Sequence, residues 1–192
     1  MQIKAFAHTV LHTTPYPYQL EVGEALVAAL TRGQGGISTI MMPRQSGKNE
    51  LSAILEAYLL ATKPAGTIIK AAPTYTPPVI NSRMRLMPML ESPLLKPRVW
   101  TAHGSIIALA PDFDPESLVP QTGPRILLSS AGEESTVVGG TASLLLELEE
   151  AQDADPDTEN TEGAPWGHRP MRSSCCRAPP GQTRRCGHRC EP

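Results

Sequence analysis

Between Gln19 and Leu30 the apolar residues Leu20, Val22, Ala25, Leu26 and Leu30 recur at helical spacing, and Gly33 stands where such a helix would stop. A TRGQGG loop follows. The run from Ile37 to Met42 is apolar with β-branched residues and halts at Pro43, as a buried strand would. Past Lys48, the spacing of Leu51, Ile54, Leu55, Tyr58 and Leu59 predicts a second helix. The alternation then repeats: a strand over 67–71, a helix over 79–90, short strands over 105–110 and 125–129, and a strand over 142–148. Residues ahead of Tyr18 read as a mixed lead-in, and no fixed-period repeat points to a solenoid. Strands alternating with helices predict an α/β fold with a largely parallel sheet covered by helices.

The pattern ends after Glu150. Residues 151–164 are acidic and polar, carrying Asp153, Asp155, Asp157, Glu159 and Glu162, and from Asn160 onward there is no Leu, Ile, Val, Phe, Tyr or Lys. Such a composition predicts a disordered tail that adds no strand or helix to a core. Loss of aliphatics with gain of Arg, Pro and Cys also fits a shift of reading frame near 155–170. The expected organisation is a lead-in over 1–16, one α/β domain over 17–154, incomplete at its C-terminal side, and the tail over 155–192.

Bulk composition narrows the picture modestly. A chain of 192 residues with 40% hydrophobic and 4% aromatic content must build its core from aliphatic side chains. A net charge of -2 gives no global attraction for nucleic acid, although a local basic patch still binds phosphates. No charged leader precedes an apolar stretch and no run approaches the ~20 residues of a membrane span, so the expectation is a soluble, intracellular protein. Cys175, Cys176, Cys186 and Cys190 all lie in the tail, in a spacing unlike the paired cysteines of zinc modules.

Two segments carry chemistry. The first is PRQSGKNE, from Pro43 to Glu50, where a strand gives way to a helix. A phosphate loop works because backbone N–H groups and a helix N-terminus surround the phosphates while a lysine contacts them, and Gly47 and Lys48 match that pattern. Met42 stands where the general pattern has its first glycine, and Asn49 where it has a Ser or Thr for magnesium. The plainer alternative is a turn with a surface lysine. The second segment is LLLELEEAQD, an apolar strand that ends in the adjacent acids Glu149 and Glu150. Nucleotide hydrolysis needs one acid for Mg²⁺ and another to orient water, and the alternative is a strand that exits into a solvated acidic loop. Arg83 and Arg85 read as solvated helix residues, and His8, His12 and His103 have no motif context.

The combination of PYQ (Pro17 to Gln19), PRQSGKNE, APT (Ala72 to Thr74) and LLLELEEAQD resembles the ATPase domain of phage large terminase subunits. The resemblance runs from about Pro17 to Asp153. It implies a P-loop NTPase-type, mostly parallel sheet flanked by helices, with ATP and Mg²⁺ as cofactors. By that likeness Gln19 reads the adenine edge with Tyr18 beside it, and Pro43, Gln45, Ser46, Gly47 and Asn49 wrap the phosphates around Lys48. Arg44 is the loop arginine that stabilises the γ-phosphate. Glu149 stands where the family has an Asp for the metal, with Asn49 as a second metal-side residue, and Glu150 is the catalytic acid. The extra methylene of Glu149 lengthens the ligand arm by roughly one 1.5 Å bond. The implied partners are double-stranded viral DNA, a portal protein, a small terminase subunit and further copies of the chain, in the cytoplasm of a bacterial host and away from membranes. The missing coupling strand and nuclease imply weakened turnover and no DNA cleavage. An inactive prophage remnant and another P-loop ATPase are the competing readings.

Overall fold

The computed structural model describes residues 1–33, 36–73, 78–109, 123–130 and 142–150, with the backbone of 171–174. In chain order these form α1 (Ile3–Thr9), α2 (Pro17–Arg32), β1 (Gly36–Thr39), α3 (Lys48–Thr62), β2 (Gly66–Ala72), α4 (Ile80–Leu90), β3 (Val99–Ala102), β4 (Ile106–Leu109), β5 (Pro124–Ser130), β6 (Leu145–Leu148) and β7 (Met171–Ser174). The sheet order is β1-β7-β6-β2-β5-β4-β3. Among the described residues no helix is long and apolar enough to cross a membrane.

Alternation along β2 and β6 divides the sheet into two faces. Ile68, Ala72 and Leu145 join the main core with α1, α2, α3 and α4, whereas Ile69 and Leu146 form a smaller cluster with Ala142. Parallel register sets Ile68 against Leu145 and Lys70 against Glu147, so a charged pair sits on the helix-covered face. Residues Leu51 to Leu60 of α3 are all buried, which makes it the central helix. An all-round buried helix needs apolar neighbours on every side. The lead-in supplies part of that cover: Ile3, Phe6, Ala7 and Val10, at i, i+3, i+4 and i+7, place α1 in the same core, with Phe6 edge-on to Tyr58 at 5.5 Å.

The structure bears out a mostly parallel sheet flanked by helices and adds two features that the sequence reading lacked. The sheet is parallel from β1 through β5, but β4 runs antiparallel to β5 and β3 antiparallel to β4. The β3–β4 loop is His103-Gly104-Ser105, in which His103 and Gly104 have φ of 50° and 67° and the Ser105 N–H donates to the Ala102 carbonyl at 3.2 Å, a left-handed β-turn. Second, the composition of the tail predicts no strand, yet the backbone of Met171–Ser174 pairs in parallel with both β1 and β6. Ladder bonds are made by backbone groups, so a scarcity of aliphatic side chains does not forbid a strand that fills a slot between two others. The four cysteines, the acidic stretch and the inferred change of reading frame lie outside the described residues.

Candidate functional site

An open cleft of about 1010 Å³ lies where β1 passes into α3. Its wall includes Tyr16, Gln19, the whole loop from Pro43 through Asn49, and Glu150. Loop and acid are remote in sequence, and folding brings them to one cavity.

The loop owes its shape to a few contacts. Gln45 and Gly47 both adopt positive φ, 62° and 78°, a conformation that costs a non-glycine residue and suits glycine. Ser46 turns back on Pro43, its Oγ donating to the Pro43 carbonyl at 2.7 Å. Two residues of α2 hold the loop from outside: Tyr18 Oη donates to the Ser46 carbonyl at 2.7 Å, and Gln19 Nε2 donates to the Gly47 carbonyl at 3.0 Å. Gln19 Oε1 in turn accepts from the Tyr16 N–H at 2.8 Å, so the amide braces α2 against the loop. α3 then starts at Lys48 with no side-chain cap, and N–H groups of an uncapped first turn favour an anion. Arg44 and Lys48 have no ion-pair partner among the described residues.

Of the residues singled out from sequence, Pro43, Arg44, Gln45, Ser46, Gly47, Lys48, Asn49, Gln19 and Glu150 line this cleft. Tyr18 and Glu149 do not. Tyr18 stacks on Tyr16, with ring centroids 5.6 Å apart, and holds the loop by its hydroxyl. Glu149 points into the protein, 4% exposed, with its N–H on the Ala71 carbonyl and its Oε1 3.1 Å from Lys70 Nζ. Glu150, beyond the end of β6 and with φ of 55°, lines the cleft, while its neighbour Glu149 points inward. Arg85, read from sequence as solvated, is indeed largely exposed, at the rim of the cleft and 3.6 Å from Glu50.

Sequence reasoning missed the buried polar cluster behind the cleft. Lys70 Nζ lies 2.9 Å from Glu56 Oε1 and 3.4 Å from Glu147 Oε1, and donates to Ser52 Oγ at 2.6 Å. Ser52 Oγ donates to Glu147 Oε1 at 2.6 Å. Burial pushes the Glu56 carboxyl up to about 8, against the pull of Lys70. Burial by itself would lower the Lys70 ammonium, but Glu147, Glu56 and Glu149 outweigh it and hold the group above its ordinary value. The signal was present in the sequence: a lysine inside the apolar run TIIKAA and a glutamate inside LLLEL both fall at strand positions that should be buried.

The donor set bears on which metal the site suits. Among the described residues no group of three metal-ligating side chains exists, and the carboxylates lining the cleft beside Asn49 are those of Glu50 and Glu150. This fits Mg²⁺ carried in on a nucleotide, which takes one or two carboxylates plus phosphate oxygens and water rather than an all-protein cage.

No protein-family model matches the chain, and no curated protein sequence matches it. Solved structures do. The large terminase of bacteriophage HK97 superposes with a TM-score of 0.67 at 14% identity, covering 91% of this chain and 37% of that one. The large terminase of a thermophilic bacteriophage gives 0.55 at 16% identity, covering 85% and 39%. The ATPase domain of the Thermus phage P74-26 large terminase gives 0.54 at 16% identity, covering 91% and 70%. The chain therefore has the fold of phage large-terminase ATPase domains, and it spans well under half the length of the first two of these proteins. The thermophilic phage's protein has also been solved with ADP and with ATP-γ-S.

Proposed function

We propose, with the large-terminase ATPase fold as premise, that the chain binds ATP in this cleft and hydrolyses it as the ATPase part of a viral DNA-packaging motor. One observation carries the reading: the loop holding Lys48 and Arg44 shares a cavity with Glu150, an acid that follows β6. In this reading the amides of 43–49 and the start of α3 receive the phosphates. Lys48 and Arg44, free of internal ion pairs among the described residues, stabilise the charge that develops on the γ-phosphate. Glu150 orients the attacking water. Glu149 and Asn49 are the residues that would hold Mg²⁺, which supplies charge neutralisation on the phosphates. Tyr16 forms the part of the wall where a base would lie, and Gln19 acts chiefly as a brace, since its Oε1 and one Nε2 hydrogen are already engaged. Double-stranded viral DNA, a portal protein, a small subunit and further copies of the chain are the partners that go with this function.

Nucleotide binding without turnover is a second reading, favoured by Glu149 being tied to Lys70 instead of lining the cleft. The strand at Met171–Ser174 argues the other way, because it occupies the sheet position beside β6 that the sequence left without a candidate. Thermal unfolding with and without Mg²⁺-ATP tests binding: ligand at about 100 times its Kd stabilises by about 2.7 kcal/mol. Lys48→Ala is expected to lose that shift while folding normally, and phosphate release then separates turnover from binding. A wild-type protein whose melting ignores millimolar ATP would refute the proposal.

A further inference from the structure

Lys70 is 1% exposed at the centre of the sheet, where a buried ammonium persists only with partners. An ammonium has three protons to donate, and Ser52 Oγ, Glu56 Oε1 and Glu149 Oε1 stand at 2.6, 2.9 and 3.1 Å. Glu149 differs from the other partners. It directly precedes the cleft acid Glu150, and its backbone is fixed in the ladder by the bond to Ala71, so only its side chain can be redirected. Lys70 can also spare it: with Glu149 withdrawn, Glu147 at 3.4 Å remains to balance the ammonium and Glu56 Oε1 at 2.9 Å remains as an acceptor. Moreover, Glu147 Oε2 is buried with no hydrogen-bond partner among the described residues, which leaves an acceptor unspent beside the lysine.

We propose that Lys70 is an internal cation that competes with the nucleotide-borne divalent metal for Glu149, so that this carboxylate is either paired inside the sheet or turned to the cleft. The inference rests on the ATP reading. A carboxylate shared between an ammonium and a doubly charged ion at close range is opposed by the repulsion of the two cations. Glutamate suits the exchange better than aspartate would, because its longer arm, by roughly 1.5 Å, can serve two stations from one fixed backbone. Lys70 is then a positioning residue that sets how readily the metal is accepted.

Two variants have opposite expected effects, which a purely structural role would not produce. Glu56→Gln/Glu147→Gln leaves Lys70 with Glu149 as its sole acid in the cluster, and should raise the Mg²⁺ concentration needed for half-maximal binding of a fluorescent ATP analogue. Adding Lys70→Met removes the competitor and should lower that concentration below the wild-type value. The drop should be about threefold if the pair is formed about two-thirds of the time in the free protein. Neither change should move the midpoint when Glu149→Gln is also present. Circular dichroism checks the fold, and if the variant lacking Lys70 does not fold, the variant that keeps it decides alone. Midpoints that stay put, or that move in the same direction in both variants, overturn the competition. Analogue binding in EDTA is measured alongside: its absence from the wild type would sink the ATP reading and this inference together, whereas binding with unmoved midpoints sinks only the competition.

Discussion

Gly47→Ala tests whether the phosphate loop and α2 are one mechanical unit. At φ of 78° a Cβ costs about 1–2 kcal/mol, because a left-handed residue crowds its own carbonyl. The new carbon would also run into Gln19 Nε2, which must move and give up its bond to the Gly47 carbonyl, worth about 1 kcal/mol net. Together the substitution should destabilise by about 2–3 kcal/mol in urea unfolding, since both terms act at once. Gln19→Ala removes the obstacle and both of its bonds in advance. In that background Gly47→Ala should cost only the backbone part, so the double variant falls short of the summed single effects by about 1 kcal/mol. Urea curves of the four proteins give the coupling directly. Additivity within about 0.5 kcal/mol would show that the amide does not brace the loop and would refute the reasoning.

The acid–base behaviour of the buried cluster yields a second prediction. Glu56 holds its proton more tightly folded than unfolded, so its contribution is fully present below about pH 4.5 and is lost as pH rises through about 8. Wild-type stability relative to Glu56→Gln should therefore decline between those limits, and parallel slopes in urea titrations at several pH values would contradict the assignment. Phe6→Ala should cost about 3–5 kcal/mol, because a fully buried ring set edge-on to Tyr58 is lost from the core. A loss below about 1 kcal/mol would mean that α1 is not part of the domain core. Lys48→Ala, in contrast, should leave urea stability within about 0.5 kcal/mol of wild type while abolishing stabilisation by ATP, because its half-exposed side chain has no ion pair among the described residues.

Much of the fold was legible locally. The apolar stripe of Leu20, Leu26 and Leu30 placed α2, the helical spacing of Leu51, Ile54, Leu55, Tyr58 and Leu59 placed α3, and short apolar runs placed β1, β2, β5 and β6. A glycine and lysine following a strand, and a pair of acids closing another, marked the two halves of the cleft because each is a contiguous motif. What stayed hidden depends on meetings between distant segments. The antiparallel hairpin of β3 and β4 rests on the His103-Gly104 turn, and β7 rests on a slot that exists only once β1 and β6 stand apart. The division of labour between the adjacent acids, Glu150 at the cleft and Glu149 on Lys70, depends on what the fold sets on either side of the end of β6. Above all, local periodicity says that Lys70 and Glu56 are buried or exposed but cannot say that they face each other. Charge neutralisation across a sheet and a helix acts through space, and only the packing of α3 on β2 and β6 brings residues 52, 56, 70, 147 and 149 to one point.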